Sequence, residues 1–174
     1  LELGRAQDSI EAGRAAIEAA EGAAERAAAL VDMAEGMRIR DRFDDGLAAL
    51  GEAQPLAEQA GAPLLLSHLH HLRGNFYFPL GRIDDCLREH RAALACAKEA
   101  GSLEAEAIAL GGLGDAHYLG GRMRSSHDQF RKCVALCRKH GFGRLEVTVL
   151  HMLGWTAAYL NDMRGAVDYG TQAA

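Results

Sequence analysis

Glycine returns through this chain on a fixed clock. Gly74, Gly114 and Gly154 are spaced by 40 residues, and Ala34 fills the slot one period earlier. Asp41, Gly81, Gly121 and Asn161 form a second series at the same spacing, and Gly61, Gly101 and Gly141 form a third. Three series in one register make the chain an array of units, each of which buries surface only against its neighbours. Every other feature has to be read inside that period.

Each period divides into two helices. The first is predicted over 64–79, 104–119 and 144–159, with a less punctuated copy over 24–39. The second begins near Asp84, Ser125 and Arg164 and stops before Gly101 or Gly141. Gly81, Gly121 and Asn161 suit the left-handed residue that ends a helix. Asp84 and Ser125 are expected to cap the second helices, and Lys98, Arg138, Lys139 and His140 to face the negative end of the dipole. Residues 4–20 read as the second helix of an earlier unit and 164–174 as the start of a final one, which makes about nine helices.

The units are 1–23 (partial), 24–63, 64–103, 104–143 and 144–174 (partial), within a single domain over 1–174. A start at Leu1 rather than Met, and a stop at Ala174 inside a helical pattern, read as a segment of a longer polypeptide. Composition agrees with an all-α chain: 49% of residues are hydrophobic, only three are proline, and Val, Ile and Thr are sparse.

A mid-helix glycine costs about 1 kcal/mol against alanine. Its return at one phase implies a crossing where a side chain would hold two helices apart. Leu110 and Leu113, then Leu150 and Leu153, surround it. Twelve residues after the glycine slot stand Gly46, Cys86, Ser126 and Ala166, all small, as a second tight crossing requires. Four further on come Leu50, His90 and Phe130, and Gly170 breaks that pattern.

These residues resemble the tetratricopeptide repeat (TPR). Leu113-Gly114 followed by His117, and Gly74 followed by Tyr77, are similar to the first part of its signature. Ser126 with Phe130 is similar to the second. The resemblance implies an α-solenoid of antiparallel helix pairs wound as a right-handed superhelix, with partners laid along the groove of the first helices. Repeats of this longer kind are similar to those attached to bacterial signalling ATPases, nucleotide cyclases and transcription regulators. Three departures stand out. The period is 40 residues rather than about 34, with the surplus expected in segments such as 101–106. Lys98 and Arg138 occupy the region of the customary proline, and Arg73 replaces a leucine.

The groove face follows from helical spacing about the buried glycine. It carries His68, His71, Asn75 and Phe78 in one unit; Ile108, Gly111, Asp115 and Tyr118 in the next; and Thr148, His151, Trp155 and Ala158 in the last. The earliest unit offers Ala28, Val31, Glu35 and Arg38. His68, His71, Asn75, Phe78, Asp115, Tyr118, His151 and Trp155 are the partner-binding candidates. Packing of the same side chains against the next unit is the structural alternative. Gly111 and Gly112 are expected as a bare patch on the exposed groove floor.

Several chemistries are not supported. Gly112-Leu113-Gly114 lacks the preceding strand that a dinucleotide loop needs, since 104–110 are helix formers. His68 and His71 share a helix face, but no carboxylate or cysteine completes a metal site. Cys133 and Cys137, one turn apart, read as small buried residues, as does Cys86. Arg131, Lys132, Arg138 and Lys139 read as a solvated outer face. The net charge of −5 opposes a nucleic-acid module, and no apolar run approaches the roughly 20 residues that span a bilayer. Four cysteines form no disulfide framework, which points to a reduced, cytoplasmic setting. No catalytic constellation and no cofactor site emerge. Three readings of function follow: a non-catalytic scaffold binding a peptide or a neighbouring domain in its concave groove, a ligand-sensing arm of a larger signalling protein, and a homodimer formed through exposed end faces.

Overall fold

Seven described residues hold a positive φ: Asp41, Gly61, Gly81, Gly101, Gly121, Gly141 and Asn161. All seven stand between helices. The computed structural model describes residues 2–173, which contain only helices and short turns. The helices are α1 (Glu2–Ala19), α2 (Ala23–Ile39), α3 (Phe43–Gln59), α4 (Pro63–Tyr77), α5 (Ile83–Glu99), α6 (Leu103–Leu119), α7 (Met123–His140), α8 (Gly143–Tyr159) and α9 (Met163–Ala173).

The seven left-handed residues make one kind of turn. After each of them, the next residue donates its N–H to the carbonyl five residues back, as in Arg42 to Met37 (2.9 Å), Arg82 to Tyr77 (3.1 Å), Arg122 to His117 (2.9 Å) and Asp162 to Ala157 (2.9 Å). This bond closes the preceding helix and fixes where the next one starts. It also corrects two expected caps. The N-cap falls directly after the left-handed residue, at Arg82 and Arg122, so Asp84 and Ser125 already lie inside α5 and α7. Side-chain oxygens cap two other helices: Ser102 accepts from the Ala105 N–H at 3.3 Å and Asp162 from the Gly165 N–H at 2.9 Å. Of the segment expected to carry the surplus of the 40-residue period, 103–106 form the first turn of α6, so these residues are helix rather than loop. Longer helices, 17 residues in α6 and 18 in α7, take it up.

The fold is an all-α solenoid in two rows. The backbones of the first helices approach one another in order, α2 to α4, α4 to α6 and α6 to α8, whereas no two of α1, α3, α5, α7 and α9 do so among the described residues. Helices α7 and α9 meet through side chains, Arg138 donating to Gln172 at 2.6 Å and His127 lying edge to face with Tyr169. The first helices therefore form the closely packed inner row, and the second helices splay along the outside of the curve. Arg131, Lys132, Arg138 and Lys139 are exposed on this outer row.

The crossings show why small residues recur. The Phe130 ring of α7 lies on the Gly114 α-carbon of α6, and a β-carbon at Gly114 would overlap it. The His90 ring of α5 covers Gly74 of α4 in the same way, at 2.6 Å from a β-carbon built there. Gly46 of α3 receives the Phe76 ring of α4. Ser126 donates its hydroxyl to the Gly114 carbonyl at 2.8 Å, and Ser67 to that of Ala93 at 2.9 Å, so small polar side chains at crossings are satisfied inside the array. Phe76 and Phe130 are among the largest fully buried side chains, each contributing about 1.5–3 kcal/mol of apolar burial. In the last pair Gly170 replaces the ring. A β-carbon on Gly154 would meet the Ala166 carbonyl at 3.3 Å and the Gly170 nitrogen at 3.7 Å.

Arg73, the departure from leucine, anchors a polar network between α3, α4 and α5. Its guanidinium donates to the Leu50 carbonyl (2.9 Å) and to Gln54 (2.8 Å), and reaches the Glu89 carboxylate at 3.4 Å. Glu89 also accepts from His70 Nδ1 at 2.8 Å. Burial acts to raise the Glu89 carboxyl, but His70, Arg73 and Arg88 outweigh it and hold the group below its ordinary range. Cys86, Cys133 and Cys137 are buried free thiols. Burial raises all three, Cys86 to about 12. No helix among the described residues is long and apolar enough to cross a membrane.

Candidate ligand groove

Two hollows open along the inner row. The first, about 690 Å³, lies at the N-terminal ends of α4 and α6, between Ala28 of α2, Leu64 and His68 of α4, and Ile108 of α6. Its walls are largely aliphatic, and Leu64 is 54% exposed there. The second, about 470 Å³, lies at the C-terminal ends of the same helices and includes Arg38, Asn75, Phe78, Asp115 and Tyr118. Residues from α2, α4, α6 and α8 share this second hollow, so it exists only because successive units stack.

Six of the eight candidates from the sequence lie in these hollows. His68 and His71 line the first, and Asn75, Phe78, Asp115 and Tyr118 the second. His151 and Trp155 do not join them. They line a separate cleft of about 390 Å³ between α8 and α9, beside Met163 and Val167, where Trp155 is 58% exposed. Gly111 and Gly112 are buried, contrary to the exposed floor expected of them. Gly112 is covered by His90, whose ring reaches across from α5 and lies against Gly112 as well as Gly74, and Gly111 faces Val149 of α8. Phe43 and Met152 also line the second hollow. Helical spacing within the first helices carried no signal for Phe43, which belongs to α3.

Within the groove wall, Asn75 Nδ2 donates to His71 Nε2 at 3.0 Å, which leaves the ring proton on Nδ1. Nδ1 is buried without a partner, as is Nδ1 of His90, whose ring centre is 5.2 Å away. Burial lowers both rings, His71 to about 4 and His90 to about 3, with each other or with His68 as the next cause. Both are neutral at pH 7. Asp115 is shifted the other way. Burial raises its carboxyl to about 6, opposed only by the nearby His151. Tyr118 and Tyr159 meet edge to face at 6.1 Å. No three histidine, cysteine, aspartate or glutamate side chains converge as metal ligands among the described residues.

Residues 64–139, which contain most of both hollows and the Gly114–Phe130 crossing, match the family model for the tetratricopeptide repeat. These are tetratricopeptide repeats. None of the curated proteins compared with the sequence matches it. Solved structures share this fold at low identity. One is a Rap protein complexed with competence and sporulation factor, at TM-score 0.83 and 16% identity over 90% of this chain and 44% of that one. A second is BtubC (BKLC) from P. vanneervenii, at TM-score 0.78 and 17% identity over 99% and 70%. A third is aspartyl phosphate phosphatase F from Bacillus subtilis, at TM-score 0.85 and 11% identity over 99% and 48%. The chain described here thus spans less than half the length of the first and third of these.

Proposed function

We propose that this TPR array is a non-catalytic scaffold that holds a peptide, or an extended segment of a neighbouring protein, along the inner row of first helices. The observation that carries the reading is the pair of hollows on one face. Aliphatic surface in the first gives area for an apolar side chain, and polar groups in the second give orientation. Exposed Leu64 and Phe78 are apolar groups with solvent as their outer neighbour, which a bound chain would cover. A Rap protein of the same fold is known in complex with competence and sporulation factor. That precedent makes this fold a reasonable seat for such a partner here.

The test is chemical-shift mapping of the labelled chain against a synthetic positional-scanning library of N-acetylated, C-amidated hexapeptides. Perturbations are expected at His68, Asn75, Asp115 and Tyr118. Perturbations confined to the outer face of α7, or to the cleft between α8 and α9, would overturn the groove reading.

A further inference from the structure

We propose that a partner held in the groove is anchored by a basic side chain, lysine or arginine, seated on the Asp115 carboxylate. This rests on the groove reading above and adds the chemical class of the ligand. It comes from comparing one position across four units.

Glu35, Asn75, Asp115 and Trp155 occupy the same slot, one residue after the mid-helix small residue. In α2 the slot is satisfied by its own helix, because Arg38 three residues on pairs with Glu35 at 2.7 Å. In α4 it is satisfied again, because His71 four residues back bonds to Asn75 at 3.0 Å. In α6 both partner positions are lost. Gly111 stands four residues before Asp115 and Tyr118 three residues after it, and Tyr118 is engaged with Tyr159. Among the described residues Asp115 has no hydrogen bond and no ion pair. Arg38 lines the same hollow and commits its Nη2 to Glu35, its buried Nε making no hydrogen bond, to Asp115 or to any other group, and Asp41 adds a second carboxylate rather than a cation.

A half-buried carboxylate with no partner is an unfavourable place to leave a charge, and the crossings of α6 make no use of it. The helix packs through Gly112 against His90 and through Gly114 against Phe130. The hollow around Asp115 offers what a basic side chain needs besides a counter-charge. Phe78 and Tyr118 present ring surface to an aliphatic stem and to the face of a cation. Asn75 stands beside them with a carbonyl oxygen for a second donor.

The same hexapeptide library, applied to the full chain, separates the two claims. Enriched peptides are expected to carry lysine or arginine at one position. Replacing that arginine by citrulline, neutral and of nearly equal size, should weaken binding about tenfold or more. In Asp115→Asn the arginine and citrulline peptides should bind alike, at the level of the citrulline peptide on the native chain, with circular dichroism confirming the helices. If enriched peptides are neutral or acidic, or if Asp115→Asn still prefers arginine, the anchor is wrong while the groove reading stands. If no hexapeptide binds, or all bind outside the inner row, the groove reading fails and takes the anchor with it.

Discussion

The Phe130 ring lies on the α-carbon of Gly114 sixteen residues earlier, and His90 stands in the same relation to Gly74. In each case a second helix fills, with one ring, the space that the first helix leaves by having no side chain. Gly114→Ala is therefore expected to cost about 1–3 kcal/mol, overriding a propensity gain of about 1 kcal/mol. Gly154→Ala, whose added methyl would come no nearer to any atom than the Ala166 carbonyl at 3.3 Å, should remain within about 1 kcal/mol of the native chain. Urea midpoints compare the two. Equal stabilities would mean that the ring does not fix the crossing.

Asp115 should weigh on the fold it belongs to. Its folded value, about 6, lies above the ordinary 3.8, so the native state holds the proton more tightly than the unfolded chain. Stability from this group is full below pH 3.8 and is lost as pH rises to about 6, after which it stays level. Asp115→Asn should accordingly raise stability at pH 7 by about 1–3 kcal/mol. Denaturation at pH 4.5 and pH 7 tests this, since the gain must be larger at pH 7.

The buried histidines act in the opposite sense. His90 and His71 are depressed to about 3 and about 4 from an ordinary 6.5, so the unfolded chain binds their protons first. Their contribution is complete above pH 6.5 and is lost as pH falls toward 4 and below. His90→Phe, which places in α5 the ring that α7 already uses, should flatten the acid limb of the stability curve. The slope between pH 6.5 and 4 is the quantity to read, because repacking shifts only the absolute level. An unchanged slope would show that His90 is protonated in the folded chain.

Glu89 holds three partners at once, His70, Arg73 and Arg88. Glu89→Ala would leave the largely buried Arg73 guanidinium without a counter-charge and should cost about 3–5 kcal/mol. Glu89→Gln keeps an acceptor and should cost clearly less. Guanidinium denaturation of both variants against the native chain checks the order.

Much of the architecture was legible because the punctuation is chemical. Asp41, Asn161 and five glycines are residue types that tolerate positive φ, and each stands at a left-handed turn. The small residues at the crossings were legible for the same reason. Gly112 was misplaced because its neighbour is not in its own helix pair. Spacing along α6 shows where a residue faces, but not that His90 arrives from the preceding unit. Glu89 carried no signal, since a glutamate on a second helix usually reads as solvated surface. Asp115 was legible as a groove residue. Its lack of a partner was not, because that depends on Tyr118 turning toward Tyr159 in the next first helix.

The Gly154–Gly170 pair sets the last joint apart from its neighbours. Between α4 and α5, and between α6 and α7, a ring sits in a glycine notch like a key, and sliding one helix along the other means lifting that key out of close-packed surroundings. Between α8 and α9 two bare backbones face each other and no key is present. Translation along that contact lifts no ring out of a glycine notch; the ring of α9, Tyr169, rests on the edge of the core instead. When the array bends or tightens around a load, slip will begin there, which makes the α8–α9 joint the bearing of an otherwise locked mechanism.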